Sequence, residues 1–407
     1  MNCRHCQHQL TLPLVDLGVM PPSNAYLSQA DLSANEACYP LKVWVCQHCW
    51  LVQTEDFTRA DELFTADYAY FSSTSASWLA HAKDFADVSV KKLALDKQSF
   101  VVELASNDGY LLKNYVAAGI PCLGVEPTAA TAAAARELGI EVVSAFFGAQ
   151  KATELVQDYR QADLIVANNV LAHVPDINDF VAGIARLLAP EGTVSIEFPH
   201  LLNLLELCQF DTIYHEHYSY LSLYTVQRIF AVAGLRIVDV EVLSTHGGSL
   251  RVWLCHQHSQ QLATAAVGKV LQQERQAGLQ SADAYSGFQS RVDNVAAQLK
   301  SFLTECQQSG KKVVAYGAAA KGNTLLNYAG IECELLAVVA DAAPSKQGKF
   351  LPGSHVPIVP PARLADLKPD YVLILPWNIS REIISQLQQL LAKGTKFVTA
   401  IPELRIL

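Results

Sequence analysis

The chain has 407 residues, enough for two or three domains with cores of their own, and carries 39 acidic against 30 basic side chains for a net charge of −9. That balance argues against nucleic acid as a partner, because a phosphate-backbone binder normally shows a basic stripe. The polar start Met1–His5 and the lack of any run of eighteen apolar residues argue against a signal peptide and a membrane partner, so a cytoplasmic protein is expected.

Two Cys-x-x-Cys knuckles, Cys3/Cys6 and Cys46/Cys49, enclose 39 residues. Zinc takes four soft donors at tetrahedral corners, and each such turn aims two thiolates at one point. With four corners filled there is no open position for a substrate, so the expected zinc is structural. His5, His8 and His48 lie close enough in sequence to substitute as ligands. Zinc ribbons often bind nucleic acid, but the only basic side chains in the first sixty residues are Arg4, Lys42 and Arg59. The six remaining cysteines (38, 122, 208, 255, 306, 333) are scattered among apolar neighbours, the usage of a reducing compartment.

A helix is expected over 75–95, where Trp78, Ala82, Phe85 and Val88 recur at helical spacing. Strands are then expected at 100–104, 122–126, 142–143, 164–167 and 193–197, alternating with helices such as 110–118 and 128–138. That alternation indicates a parallel sheet covered on both faces. Antiparallel strands follow at 235–243 and 250–254, then a Gln- and Ala-rich helical region over 259–309. A second alternating unit has strands at 312–316, 335–341, 371–375 and 396–400. The fold class is therefore α/β with an N-terminal zinc-binding module. The domains are expected at 1–72, 73–252 and 253–407.

In open α/β sheets, ligands sit at the carboxyl ends of the strands beside the topological switch point. Glu103-Leu-Ala105-Ser-Asn107-Asp-Gly109 stands at such an end, with small residues that let a ligand approach the backbone. Glu126-Pro127 ends the next strand, with the carboxylate placed for both ribose hydroxyls. It excludes the 2′-phosphate of NADP without separating NAD from S-adenosylmethionine. The turn lacks the first two glycines of a dinucleotide fingerprint, and its Asn107-Asp108 suits a cationic sulfonium better than a pyrophosphate. Asn168-Asn169, before His173, supplies a second polar turn. Together these features point to S-adenosylmethionine.

Residues Asp211–Tyr220 pack two histidines, a carboxylate and three tyrosines into Tyr214-His215-Glu216-His217-Tyr218-Ser-Tyr220. The i, i+2 histidines would meet on one ion only from a strand, so an acid–base site is expected rather than a second metal. In the last unit, Gly317-Ala-Ala-Ala-Lys321-Gly322-Asn323 follows a strand and opens a helix. Its backbone amides and Lys321 offer a pyrophosphate clamp, although the spacing is not that of a P-loop. Asp341–Gly348 and Trp377-Asn378 are either walls of the same site or structural turns.

These motifs, in this order and with His246-Gly-Gly-Ser-Leu-Arg251, resemble the three-domain nucleotide-sugar C-methyltransferases, including the dTDP-sugar 3-C-methyltransferases, over essentially the whole chain. The resemblance implies a central Rossmann-like class I S-adenosylmethionine methyltransferase domain and a C-terminal Rossmann-like domain, with a sugar nucleotide between them; Lys321 and Asn323 of the loop above are its expected contacts. It makes His217 the general base that forms an enolate at C3 of a 4-keto sugar, with Tyr214, Glu216, His173 and Tyr68 (rather than Tyr70) around it. Ala105 departs from the family's glycine. A monomer or weak homo-oligomer is expected. An O- or N-methyltransferase, or a sugar-nucleotide-binding regulator without turnover, are the alternatives.

Overall fold

The computed structural model describes residues 1–57 and 71–407. Its centre is a seven-stranded sheet in the order Leu235–Leu243, Ser249–His256, Leu188–Pro199, Ala162–Asn168, Val101–Leu104, Cys122–Val125, Glu141–Val143. Five strands are parallel; Ser249–His256 runs antiparallel to both its neighbours. The chain order reverses between Val101–Leu104 and Ala162–Asn168, which opens a crevice at their carboxyl ends. A six-stranded C-terminal sheet repeats the plan, in the order Ile358–Val359, Val339–Ala340, Val313–Tyr316, Tyr371–Ile374, Lys396–Thr399, Arg405–Ile406. Its switch point lies between Val313–Tyr316 and Tyr371–Ile374.

The N-terminal sheet holds Leu12–Met20, Tyr39–Val45 and Val52–Thr54, all antiparallel. Its fourth strand, Ser219–Tyr220, comes from the middle of the chain, directly after the His-rich segment. This sheet has no core of its own. Leu14, Leu41, Val43 and Val45 share one core with Val292, Leu299, Leu325 and Leu326 of the C-terminal helices. Cys3, Cys46, Cys49 and Leu51 instead pack with Ile165 and Phe198 of the central sheet. Each buried aliphatic side chain contributes about 1.5–3 kcal/mol, so the three units are fused rather than tethered. This departs from the separate cores expected from length alone.

The helix Ala76–Leu93 starts at Ser75, whose side chain accepts from the Trp78 amide, and ends at left-handed Ala94. Its buried stripe is Ala82, Phe85, Ala86 and Ser89, while Val88 faces solvent. A serine takes the inward position because its hydroxyl pairs with the Tyr115 hydroxyl at 2.7 Å and donates to the Ala86 carbonyl, which hydropathy periodicity cannot register. The helical region is two helices, Ala265–Gln276 and Phe288–Gln308. In the last unit the 335–341 strand shrinks to Val339–Ala340, and the strands Ile358–Val359 and Arg405–Ile406, two residues each, carry too little pattern to be seen in sequence.

Candidate active site

The four knuckle sulfurs lie within 4.8 Å of one another, with Cys3 to Cys49 and Cys6 to Cys46 both at 3.5 Å. A tetrahedron with Zn–S bonds of about 2.3 Å has edges of about 3.8 Å, so the thiolates fit zinc. The nearby histidines are engaged elsewhere: His5 Nδ1 lies 2.8 Å from Asn178 Oδ1, and His8 stacks on His48. Among the described residues this is the one cluster that meets metal-ligand spacing.

The first knuckle reaches directly into the His-rich segment. Arg4 donates to the Thr54 carbonyl at 3.0 Å and to the Pro175 carbonyl at 2.9 Å, and its guanidinium lies 5.2 Å from the Tyr218 ring centre. Thr54 in turn donates through its amide to the Tyr218 carbonyl and through its hydroxyl to the His217 carbonyl, at 3.1 and 3.2 Å.

At the central switch point the backbone is strained. Ala105, Asn107 and Asn169 all occupy the left-handed region, at φ of 53°, 50° and 56°. Gly109, at φ 78°, has no room for a Cβ, which would stand 2.4 Å from Ile140 Cδ1. Glu103 is 1% exposed, and both its carboxylate oxygens lack a hydrogen-bond partner among the described residues. The same holds for Asp108 Oδ1, Asn168 Oδ1 and Asn169 Oδ1. Burial pushes the Glu103 carboxyl well up, although Tyr110 counteracts it; the carboxylates of Glu126 and Asp108 push the same way as burial. A ring of buried acceptors in negative surroundings suits a cationic, donor-rich ligand, and S-adenosylmethionine with its ammonium, sulfonium and ribose hydroxyls is one.

Glu126 accepts from the amides of Asn107 and Thr128, both at 2.9 Å, and from the Thr128 hydroxyl, and so fixes the turn while keeping accepting capacity for a ribose. Pro127 links it to Thr128, the N-cap of the next helix. The Asn107 and Asp108 side chains accept from the Ser72 and Ser73 amides, so residues 72–73 close over the turn.

In the His-rich segment the structure brings His217, Tyr214 and His173 together, with ring centres 3.9 Å and 4.6 Å from His217. His217 Nδ1 lies 2.7 Å from the Thr212 carbonyl. A carbonyl can only accept, so Nδ1 carries the proton and Nε2 keeps a lone pair. His173 Nδ1 is held likewise by the Glu216 carbonyl at 2.8 Å. Glu216 points the other way: both its oxygens accept from Asn24 Nδ2, at 2.7 and 2.8 Å. His215 turns towards Tyr39, with Nε2 3.2 Å from its carbonyl. The two histidines therefore diverge and do not share an ion. Tyr68 and Tyr70 lie outside the described residues.

The C-terminal loop differs from its expected form. The amides of Gly317, Ala318, Ala319 and Gly322 donate to the Ala340 carbonyl, Asp341 Oδ2, the Gly317 carbonyl and the Ala319 carbonyl. Tyr26 and Lys346 both donate to the Ala318 carbonyl, at 2.6 and 2.8 Å, so this loop faces inward. Asn323 is 0% exposed, and its amide donates to the Ser23 carbonyl at 2.6 Å, a domain-docking contact rather than a ligand contact. Lys321 instead lies against the turn after Tyr371–Ile374, its Nζ 4.8 Å from the Trp377 ring centre and 2.8 Å from Asn378 Oδ1.

Sequence reasoning missed a buried network on the cofactor side. Glu197, near the carboxyl end of the strand Leu188–Pro199, binds His81 at 2.8 Å, Arg251 at 2.9 Å and the Thr245 hydroxyl at 2.9 Å. Trp78 stacks on both His81 and Tyr110 and meets His246 edge-on. A lone carboxylate inside the apolar run Thr193–Pro199 is the signal that could have found Glu197.

Burial holds the ring of His173 down to about 4 and that of His246 down to about 4, and holds His217 well below the usual imidazole value. For His217 the neighbouring His173, Lys321 and His246 add to the effect. An unfolded chain binds these protons near the ordinary histidine value of about 6.5. Between about pH 6.5 and 4 the unfolded state therefore holds more protons than the folded one, and stability falls as pH falls. Thermal unfolding followed across that window should show a steep loss of Tm, reduced in slope by His173→Gln.

Three family comparisons divide the chain among a zinc binding domain (residues 3–64), a methyltransferase domain (78–240) and a C-methyltransferase C-terminal domain (244–402). The chain is 36% identical over 406 residues to C-methyltransferase NovU of Streptomyces niveus, covering 100% of this chain and 96% of that one. Solved structures that resemble part of it include a magnesium protoporphyrin IX methyltransferase from Synechocystis PCC 6803 (15% identity, 44% of this chain, 81% of that one, TM-score 0.33). Another is an S-adenosylmethionine-dependent methyltransferase from Clostridium acetobutylicum (12% identity, 46% and 92%, TM-score 0.36). The full-length relative and the three domains in order lead to one statement: the chain belongs to the S-adenosylmethionine-dependent C-methyltransferases that carry an N-terminal zinc-binding domain.

Proposed function

We propose that this C-methyltransferase acts on a nucleotide-linked keto-deoxysugar, with dTDP as the nucleotide, and places the methyl group on C3 beside a 4-keto group. The observation that carries the reading is the tautomer of His217. Its Nδ1–H is committed to the Thr212 carbonyl, which leaves the lone pair on Nε2 of a ring packed against Tyr214 and His173. A carbon is a poor nucleophile until it loses a proton, and in a 4-keto sugar the C3 hydrogen is acidified by the adjacent carbonyl. His217 takes that proton, and the C–H electron pair moves through the C3–C4 bond onto the oxygen. Tyr214 donates towards that oxygen, and His173, its Nδ1–H held by the Glu216 carbonyl, packs against the His217 ring and orients it. S-adenosylmethionine supplies an electrophilic methyl group together with its own leaving group. Glu103, Asn168, Asn169 and Glu126 hold it, with Ala105, Asn107, Gly109 and Pro127 shaping the turn. An O- or N-methyltransferase has no need of a base able to form an enolate, and a non-catalytic regulator has no need of a fixed tautomer.

The test incubates the purified protein with S-adenosylmethionine and a panel of dTDP-, CDP- and GDP-linked keto-sugars. The expected result is a product heavier by one methylene unit, located at C3 by NMR. Methylation on oxygen, or binding of a sugar nucleotide without turnover across the panel, would overturn the reading.

A further inference from the structure

We propose that Lys321 is a catalytic residue whose ammonium donates a hydrogen bond to the acceptor's carbonyl oxygen as proton removal turns that carbonyl into an enolate. This rests on the reading above and assigns its oxyanion partner.

The position of Lys321 follows from the helix that carries it. Ala320–Tyr328 packs against the segment before His217, where the Thr324 hydroxyl donates to the Ile213 carbonyl at 2.8 Å. Lys321 stands three residues earlier and therefore on the same face of the helix. The adjacent carbonyl, that of Thr212, is the one that fixes the His217 ring. Trp377, beneath the ammonium, donates through its indole nitrogen to Asp211 Oδ2 at 2.7 Å. The rim of the same indole fills the space that a Cβ on Gly247 would need, at 2.4 Å. Lys321 is thus walled by the His-rich segment, the His246 loop and Trp377-Asn378. Its charge registers on His217 and His246, both held lower by it, and on Asp211.

A largely buried ammonium normally sits against a carboxylate. Here the hydrogen-bond partner is the neutral amide of Asn378, and no carboxylate lies within ion-pair distance among the described residues. The carboxylate that acts on it, Asp211, is held by the Trp377 indole and not in contact, so the ammonium keeps donors for an anion that enters the site. A diphosphate cradle would use the loop amides as well, and those of Gly317, Ala318, Ala319 and Gly322 are turned inward. What the loop keeps for a ligand is the Lys321 ammonium and the first amides of its helix, too few for a cradle around two phosphates. The charge on the oxygen develops only as His217 removes the C3 proton, so this interaction strengthens in the transition state, where binding raises kcat. When the carbon takes up the methyl group the carbonyl reforms, and the proton on His217 Nε2 leaves to solvent. No oxidant, reductant or further reactant is needed.

The experiment separates deprotonation from methyl transfer. The full-length protein, loaded with S-adenosylhomocysteine in place of the donor, is given saturating dTDP-4-keto-6-deoxyglucose in D2O, and NMR follows exchange of the C3 hydrogen. Wild type should exchange it. K321M and K321Q should lower exchange and kcat together by about 10²–10³-fold, the range for removal of one preorganised oxyanion donor, while KM moves only a few-fold and cofactor affinity stays normal. K321R should recover part of the rate. K321Q keeps a group for Asn378, so it reports on charge should K321M fold poorly. A large rise in KM with exchange intact at saturation would make Lys321 a diphosphate anchor and overturn the inference. Absence of exchange in wild type, or its survival in His217→Asn, would strike the proposed function instead.

Discussion

His217→Asn should cut methyl transfer by about 10²–10⁴-fold, the range for loss of a general base, and leave S-adenosylmethionine affinity within a few-fold of wild type. Asparagine can still donate to the Thr212 carbonyl that now holds Nδ1, so the local backbone keeps its anchor and only the basic nitrogen disappears. The proposed cofactor groups come from other elements, the strand ends at Glu103 and Asn168. Wild-type activity also carries a pH signature. Because burial and three neighbouring cationic or imidazole groups hold the His217 ring well below its usual value, the ring stays neutral as pH falls through 6.5. The acid limb of kcat/KM should therefore lie below the ordinary histidine range, and the limb should be missing from whatever activity the variant retains. Rates near wild type in the variant would transfer the role of base to another residue, with His173 the nearest imidazole.

Most of the architecture is legible in the sequence, for physical reasons that also mark where legibility ends. Parallel strands buried on both faces read as short apolar runs, so Val101–Leu104, Cys122–Val125 and Ala162–Asn168 are visible. The four cysteines are visible because their spacing is itself the geometry. Residues whose role depends on a distant partner are not. Glu216 reads as a neighbour of the base, but successive side chains point to different sides, and Asn24 from the zinc module takes both its oxygens. Asn323 reads as part of a phosphate loop, yet Ser23, 300 positions away, engages its amide. The Gly317 loop shows why a motif cannot report on its own occupancy. The turn has the glycine, at φ 91° with Pro376 where a Cβ would be, but Tyr26 of another domain has already closed it.

Removal of zinc, by chelation or by Cys46→Ser, should abolish turnover and not merely lower Tm. Structural zinc contributes about 10–16 kcal/mol of apparent binding free energy in small zinc modules, as large as the whole stability of a typical domain at about 5–15 kcal/mol. A four-stranded sheet that borrows its core from its neighbours has no reserve to replace that. What couples the metal to chemistry is the path from Cys3 to the base. Arg4, between the knuckle cysteines, holds the Thr54 carbonyl and the Pro175 carbonyl, and Thr54 holds the His217 and Tyr218 carbonyls. The strand Ser219–Tyr220 then completes the N-terminal sheet itself. Without the metal, the segment from Tyr214 to Tyr220 loses one wall, while the cofactor crevice, built from the central sheet, keeps its own. The metal-free protein should bind S-adenosylmethionine in calorimetry and fail to methylate. Arg4→Met separates metal from path, since it leaves four thiolates for zinc, confirmed by elemental analysis, but removes the link to Thr54 and Pro175. It should retain zinc and lose kcat. Full activity in that variant would mean that zinc supports the fold without positioning the base.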